Sequence, residues 1–493
     1  MKLRTIITQD AEVDDRNSLR HFLFYANEVE LLGIVQTASK FLWRGVPGAV
    51  RQAKTSRDDF DIAGMEGGSF DAPYRWPGTD WMWETLNDYE QDYPKLRRHA
   101  EGYPTPDYLR SIIKVGNVGY EGETEAPTEG SELIRKAILD DDERTLYLQV
   151  WGGCNTIARA LMDIQTEMQN RPDWLEQRER LMHKLVITAC GEQDGTYRSY
   201  IAEAWPRIRF VKTLQMESYA YPWLVMPEGE SKDTLKSDFM RRHILRQESA
   251  LARGYCTWLD GAVYPGEAPR DQFGSNPRIA EEWFGAKLGI PTPKPCDFLS
   301  EGDSPTFFCL LDWGFRTLED FGCGGIAGRY TKAPNEYNSK GEELDVWGVA
   351  KDRYVDRDGN ARLVESMWPY VADIQRSFAS RVDWVCENSA DEHMPELVVE
   401  EGTDGTAAPG EALTLHARVA SHGGHEVAVS FRTNPEISAP WGQAMKIDAK
   451  GSAATLTIPK EAEHGDVVHI IVQAEMNGRY RLTRYAQVMI TIR

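Results

Sequence analysis

Residues 4–16 read RTIITQDAEVDDR, and this stretch decides the fold. The apolar pair Ile6-Ile7 runs into three aspartates, Asp10, Asp14 and Asp15. Leu19, Phe22, Leu23 and Ala26 follow at helical spacing. An apolar run, a polar turn and an amphipathic run predict strand, loop and helix. Open α/β sheets bind ligands beyond the carboxyl ends of their strands, where these aspartates fall. Like charges crowded at one point repel unless a cation or a proton compensates. Oxygen-only donors at close spacing suit a hard cation such as Ca²⁺ or Mg²⁺. A single aspartate would need no more than helix capping and the helix dipole to explain it. Three within six positions, with Glu12 among them, exceed that need.

Outward from this stretch, residues 30–39 (ELLGIVQTAS) read as a second strand, completing a βαβ unit. Residues 41–120 are polar, aromatic and poor in period, which predicts an insertion. Its Trp43, Trp76, Trp81, Trp83, Tyr89 and Tyr93 offer flat area for a sugar face. For most of them, packing onto the core is the expected use. Residues 131–140 read as a helix and 145–150 (TLYLQV) as a third strand, which runs into WGGCNTIARAL. There Gly152-Gly153 allows a tight turn, and Asn155 or Thr156 can cap the next helix. Residues 185–189 and 208–211 read as further strands, 239–254 as a helix and 368–384 as an amphipathic helix. The Gly-rich stretch 322–330 lacks the P-loop lysine and the dinucleotide spacing, and is expected to be a turn facing the site. The alternation predicts a mostly parallel sheet covered on both faces.

The character changes near residue 396. Residues 413–419, 454–458, 467–473 and 485–492 alternate apolar and polar, with Gly, Asn and Pro between the runs. Such period-two runs predict a β-sandwich of about a hundred residues. The expected organisation is an α/β domain over residues 1–390 and an immunoglobulin-like sandwich over 396–493, for which a structural role is expected. The sandwich histidines His416, His422, His425, His464 and His469 lack metal-ligand spacing and read as strand and loop residues.

The 493 residues suffice for two domains with large cores. With 41% hydrophobic and 27% charged residues, the composition is that of a globular protein. The net charge of −21 argues against nucleic acid and against anionic membrane surfaces as partners. No stretch approaches the roughly 20 apolar residues of a membrane span. The N-terminus shows no long apolar leader core, which fits the cytoplasm. Secretion or a periplasmic location follows instead if a leader has been removed. The seven scattered cysteines form no disulfide framework and no C-x-x-C. A homo-oligomer is compatible with all of this.

The segment TQDAEVDD resembles the DTDPGIDD signature of nucleoside hydrolases. VWGGCNTIARAL resembles the strand–turn–helix GPLTNIALAL of that fold, and EGDSPTFF sits where the fold has its second metal-binding aspartate. The nearer resemblance is to a nucleoside hydrolase-like family labelled cellulose-binding or uncharacterised. YANE, ASKFLW, GYEG, the QD pair of residues 193–194 and the Gly-rich loop carry it, and the final thirty or so residues resemble that family's C-terminal β-sandwich. The resemblance implies a Ca²⁺ site of Asp10, Asp15, the backbone carbonyl of Asn155, and Asp303. It implies Asp10 as the base that activates the attacking water, and Asp14 as a contact to a sugar hydroxyl. Ser39 stands where hydrolases carry a substrate-touching Asn, and Lys40 beside it is a candidate sugar or carboxylate contact.

The chain also departs from the hydrolase pattern. Thr8 replaces its first aspartate, and Ala11-Glu12 replaces Pro-Gly. Gly302 stands where several hydrolases have the His that assists nucleobase departure. Glu192-Gln193-Asp194 occupies roughly the region of the Glu-Phe-Asn sugar-binding segment. The water-activating half is kept and the leaving-group half is changed. The expected activity is therefore Ca²⁺-dependent hydrolysis of a carbohydrate glycoside. Glu301, Glu192, Asp194 and Glu12 are the candidate acids for the leaving oxygen. Ribonucleoside hydrolysis and non-catalytic, cellulose-type carbohydrate binding are the alternatives.

Overall fold

The computed structural model describes residues 2–51, 58–60, 67–263, 276–287, 289–356 and 358–493. The opening stretch folds as β1 (Leu3–Gln9) and α1 (Val13–Leu23), followed by β2 (Val29–Gln36). The insertion contributes α2 (Asp80–His99), and α3 (Pro106–Ile112) leads into β3 (Ile113–Val115). Then come α4 (Glu129–Leu139), β4 (Leu146–Val150), α5 (Asn155–Met168), α6 (Trp174–Lys184), β5 (Leu185–Ala189) and β6 (Arg209–Lys212). Two short strands missed by periodicity, β7 (Tyr330–Lys332) and β8 (Val346–Val349), complete the sheet.

The strand order is β3-β2-β1-β4-β5-β6-β8-β7. All neighbours are parallel except β7 and β8. Alternate residues serve opposite faces, as a doubly covered sheet requires. Ile6 and Leu148 pack with Ile157, Leu161 and Ile164 of α5, whereas Ile7 and Tyr147 pack with Leu19, Phe22 and Leu23 of α1. Each fully buried Leu or Ile contributes roughly 1.5–3 kcal/mol, so these two layers hold the sheet against the repulsion of buried carboxylates. The chain runs outward from β1 through β2 to β3, then returns to β4 on the other side of β1. That reversal opens a crevice at the carboxyl ends of β1 and β4, the usual ligand position in such sheets.

Two expectations need correction. Residues 239–254 are not one helix. A wide turn at Met240–Ile244 is followed by a separate short helix, Ala250–Arg253. The Asp92 carboxylate of α2 accepts from Ser249 Oγ and from the amides of Ala250 and Leu251, starting that second helix afresh. The Gly-rich loop takes its hydrogen bonds from elements other than the aspartate loop. Gln215 donates to its Ala327 carbonyl and Gln487 of the sandwich donates to its Cys323 carbonyl. The insertion aromatics mostly pack, as expected, with Trp43, Trp81 and Tyr89 buried and Trp83 and Tyr93 lying against the core.

After a hairpin of β9 (Lys351–Val355) and β10 (Ala361–Glu365) and the helix Val371–Asp383, the sandwich begins. One sheet holds β11 (Glu396–Val399), β13 (Ala412–Ala420), β15 (Lys446–Lys450) and β16 (Ala453–Thr457). The other holds β12 (Asp404–Ala407), β14 (Val427–Thr433), β17 (Val467–Met476) and β18 (Thr483–Ile492). Strands β17 and β18 are buried on both faces, because Ile471, Tyr485 and Met476 join the α/β core while Ile470, Val472 and Val488 fill the sandwich. Asp373 of the helix Val371–Asp383 accepts from Tyr485 Oη at 2.5 Å and from Thr483 Oγ1 at 3.0 Å, fixing the two parts together. Among the described residues no helix is long and apolar enough to cross a membrane.

Candidate functional site

The loop from β1 into α1 is built to gather carboxylates. Ala11 adopts φ 81°, a left-handed conformation uncommon for a residue with a Cβ. This turn lets the loop brace itself. The Asp10 amide donates to Asp15 Oδ1 at 3.0 Å, and the Glu12 amide donates to Asp10 Oδ1 at 3.2 Å. Asp14 and Asp15 lie in the first turn of α1, where the helix dipole favours negative charge.

Asp303 reaches the same point from a distant part of the chain. One oxygen each from Asp14, Asp15 and Asp303 lies within 4.8 Å of the others. Asp10 is buried beside them under Gly152, where a Cβ would come within 2.8 Å of the Asp10 Cβ. Oδ2 of Asp10 and Oδ2 of Asp303 are both buried with no hydrogen-bond partner among the described residues. Asp14 is better satisfied, accepting from Tyr221 Oη at 3.2 Å and Ser300 Oγ at 3.3 Å.

The electrostatics follow from this packing. Burial pushes Asp10 up, with Ser39, Asp15 and the Glu12 amide pulling back. Burial and then the charge of Asp10 push Asp14 up to about 6. Burial and neighbouring carboxylates hold Asp15 and Asp303 well above the usual carboxylate range. Burial and mutual repulsion therefore disfavour the charged carboxylates, and a bound cation would offset both. Buried orphan oxygens, an oxygen-only donor set and convergent negative charge fit a hard divalent cation.

The remaining expected residues divide. Ser39 lies at the Asp10 carboxyl and accepts from the Phe41 amide at 2.9 Å. Glu12 is partly exposed and accepts from Arg75 at 2.8 Å. Lys40 is buried and donates to the Phe60 carbonyl at 2.7 Å. Gln193 donates to the Trp151 carbonyl at 2.5 Å and the Cys190 carbonyl at 3.2 Å, tying the ends of β4 and β5 together. Asp194 accepts from the Asn155 amide at 3.0 Å and from the amide and hydroxyl of Thr196 at 3.0 and 2.7 Å. Glu192 accepts from the Arg198 amide at 2.8 Å. The Asn155 side chain is taken up by Thr37, the Thr156 amide and the carbonyls of Asn117 and Glu123. Glu301 is buried behind α1, bonded to His21 at 2.8 Å and to Tyr255 and Ser304. Thus Asp10, Asp14, Asp15, Asp303, Ser39 and Glu12 come together. Glu192, Asp194, Glu301 and the side chain of Asn155 belong to bracing networks.

Sequence reasoning missed Arg75, Tyr221 and Ser300, which come from separate loops. It also missed the buried polar face of α1. Asp14, Asn17, Ser18 and His21 recur at the spacing of one helix face, and all are buried. That periodicity of polar residues was readable as a sign of a site-facing helix.

A family model for the nucleoside hydrolase-like domain described as cellulose-binding Sde182 matches residues 4–330. The chain belongs to this family. A model of the VWA7 Ig-like domain matches residues 396–492. Among solved structures, a nucleoside hydrolase-related hypothetical protein from Saccharophagus degradans, associated with carbohydrate metabolism, aligns over 100% of both chains. It does so with 23% identity and a TM-score of 0.67. A plant nucleoside hydrolase aligns over 77% of this chain and 99% of its own, with 9% identity and a TM-score of 0.32. No curated protein sequence matches the chain. In this chain the acidic loop lies at the sheet reversal. At Gly302 a Cβ would meet Leu214 at 3.2 Å and Asp14 Oδ2 at 3.3 Å, so a His at this position would press on the acidic group.

Proposed function

We propose that the chain is a calcium-dependent glycoside hydrolase acting on a carbohydrate. The observation that carries this reading is the convergence of Asp14, Asp15 and Asp303 beside Asp10, with two buried carboxylate oxygens left unpartnered. The family's description as cellulose-binding and the carbohydrate association of the Saccharophagus relative favour a sugar as ligand. Asp15 and Asp303, with Asp10 and Asp14, would hold the cation. When bound, Ca²⁺ would supply charge that orients sugar hydroxyls and acidifies a water.

The protein's own groups do the rest. Asp10 takes the proton of the attacking water as its oxygen bonds to the anomeric carbon. The bond from that carbon to the leaving oxygen breaks, and positive charge develops on the sugar. The buried carboxylates stabilise that charge in a low-dielectric crevice. Asp14, held by Tyr221 and Ser300, orients a sugar hydroxyl. Glu12 is the candidate acid that best fits protonation of the leaving oxygen. It neighbours Asp10 and Asp14 and is partly exposed with Arg75 as its partner, whereas Glu192, Asp194 and Glu301 are buried in bracing bonds.

The test is product release from aryl glycosides, oligosaccharides and nucleosides, with and without a calcium chelator. Glycoside cleavage that disappears with chelator and in Asp10→Ala supports the proposal. Equal turnover of nucleosides transfers it to ribonucleoside hydrolysis. Retention on a polysaccharide column without turnover of any substrate leaves a binding protein, the reading favoured by the family's description.

A further inference from the structure

A second group of metal-type donors lies outside the acidic crevice, where three separate parts of the chain meet. His99 is the last residue of α2, Asp391 and His393 lie in the segment joining the two parts of the chain, and His422 lies in the loop between β13 and β14. Asp391 Oδ1 is 2.5 Å from His99 Nδ1 and 3.2 Å from His393 Nε2. One donor atom from each of His99, Asp391 and His393 lies within 4.8 Å of the other two. The His422 ring centroid is 4.8 Å from that of His393, and His422 Nδ1 sits 3.3 Å from the Asp391 carbonyl oxygen.

The surroundings hold these groups in place. The Trp384 ring stacks on His99 at 5.4 Å and packs on His393 at 4.7 Å. Trp384 Nε1 and Ser380 Oγ donate to the Glu392 carbonyl, and the Glu392 carboxylate accepts the amides of Arg479 and Tyr480. The junction segment is thereby bonded to the helix Val371–Asp383 on one side and to the β17–β18 turn on the other. Asp391 takes φ 51°, the left-handed conformation that aspartate tolerates better than most residues.

We propose that His99, Asp391 and His393 form a zinc-type transition-metal site that clips α2 to the segment joining the α/β part to the sandwich. Two imidazoles and one carboxylate are the donor chemistry of Zn²⁺, whereas Ca²⁺ and Mg²⁺ take oxygen. The site differs from the acidic crevice in donor type and in place. Because its donors come from two distant stretches, residue 99 and residues 391–393, the metal closes a long loop and its binding energy adds to the stability of the junction.

The experiment is calorimetric titration of the full chain, free of any polyhistidine tag, with Zn²⁺ in excess Ca²⁺. Co²⁺ absorption serves as a second readout. The expected result is one Zn²⁺ per chain, a tetrahedral Co²⁺ band and a higher melting temperature with Zn²⁺. His99→Gln and His393→Gln are each expected to weaken Zn²⁺ binding by about 10–100-fold or more and to abolish the Co²⁺ band. Asp15→Asn, which strikes the acidic crevice, is expected to leave Zn²⁺ binding unchanged. The glutamine variants preserve shape, and their metal-free circular dichroism and melting show that they fold. Absence of Zn²⁺ binding overturns the proposal. So does Zn²⁺ binding of equal strength in the folded His99→Gln/His393→Gln double variant.

Discussion

Asp194 and Asp303 are both buried aspartates at the carboxyl end of the sheet, and burial raises the pKa of both. They differ in their partners. Asp194 accepts three hydrogen bonds, from the Asn155 amide, the Thr196 amide and the Thr196 hydroxyl. Asp303 keeps Oδ2 without a partner, as does Asp10. A buried carboxylate with its oxygens satisfied by local amides is finished as structure. One left unsatisfied in a crevice retains capacity for a ligand. Burial and a raised pKa are common to both regions, so hydrogen-bond satisfaction is what separates the candidate site from its bracing.

The largest effect is expected at Asp10. Asp10→Ala should lower glycoside turnover by about 10²–10⁴-fold, measured as kcat/KM with the melting temperature as control. If turnover persists, Asp10 is not the base and the unpartnered oxygens have been misread. Asp194→Ala should do the opposite. It strands buried donors that each cost roughly 1–3 kcal/mol, so denaturant unfolding should show a loss of that order or more. Ca²⁺ binding by the folded chain should change little, and a loss of Ca²⁺ with full stability would dissolve the distinction between the two regions.

Glu12→Gln sharpens the comparison from the site side. With an alkyl leaving group it should lower kcat by about 10–100-fold, and with a good phenolate leaving group by much less. An equal loss with both leaving groups would remove Glu12 from the acid's role.

The last expected effect concerns Glu192, whose carboxyl burial pushes up to about 8 from the ordinary 4.5. The folded chain keeps a proton that the unfolded chain releases. Stability present below pH 4.5 is therefore lost as the pH rises to about 8. Glu192→Gln should flatten this slope, worth on the order of 4 kcal/mol. Urea unfolding at pH 5 and pH 8 measures it, and an unchanged slope would show that Glu192 is ionised in the folded chain.

The sequence alone determined the strand–loop–helix around Asp10, the parallel sheet and the switch to period-two strands after residue 396. These are consequences of side-chain periodicity, which is local. It also placed Asp10, Asp14, Asp15 and Asp303 together through resemblance to a known motif. It did not show that Glu192, Asp194 and Glu301 are held in hydrogen-bonded networks, and it read residues 239–254 as one helix because the capping carboxylate, Asp92, lies on another element. It did not single out His99 and His393, whose rings meet Asp391 only after residues far apart in the chain have packed together. Tertiary structure decided which carboxylates are satisfied and which are left open, since their partners come from positions tens to hundreds of residues away. Hydrogen-bond satisfaction and metal geometry are properties of such long-range encounters, and no local pattern records them.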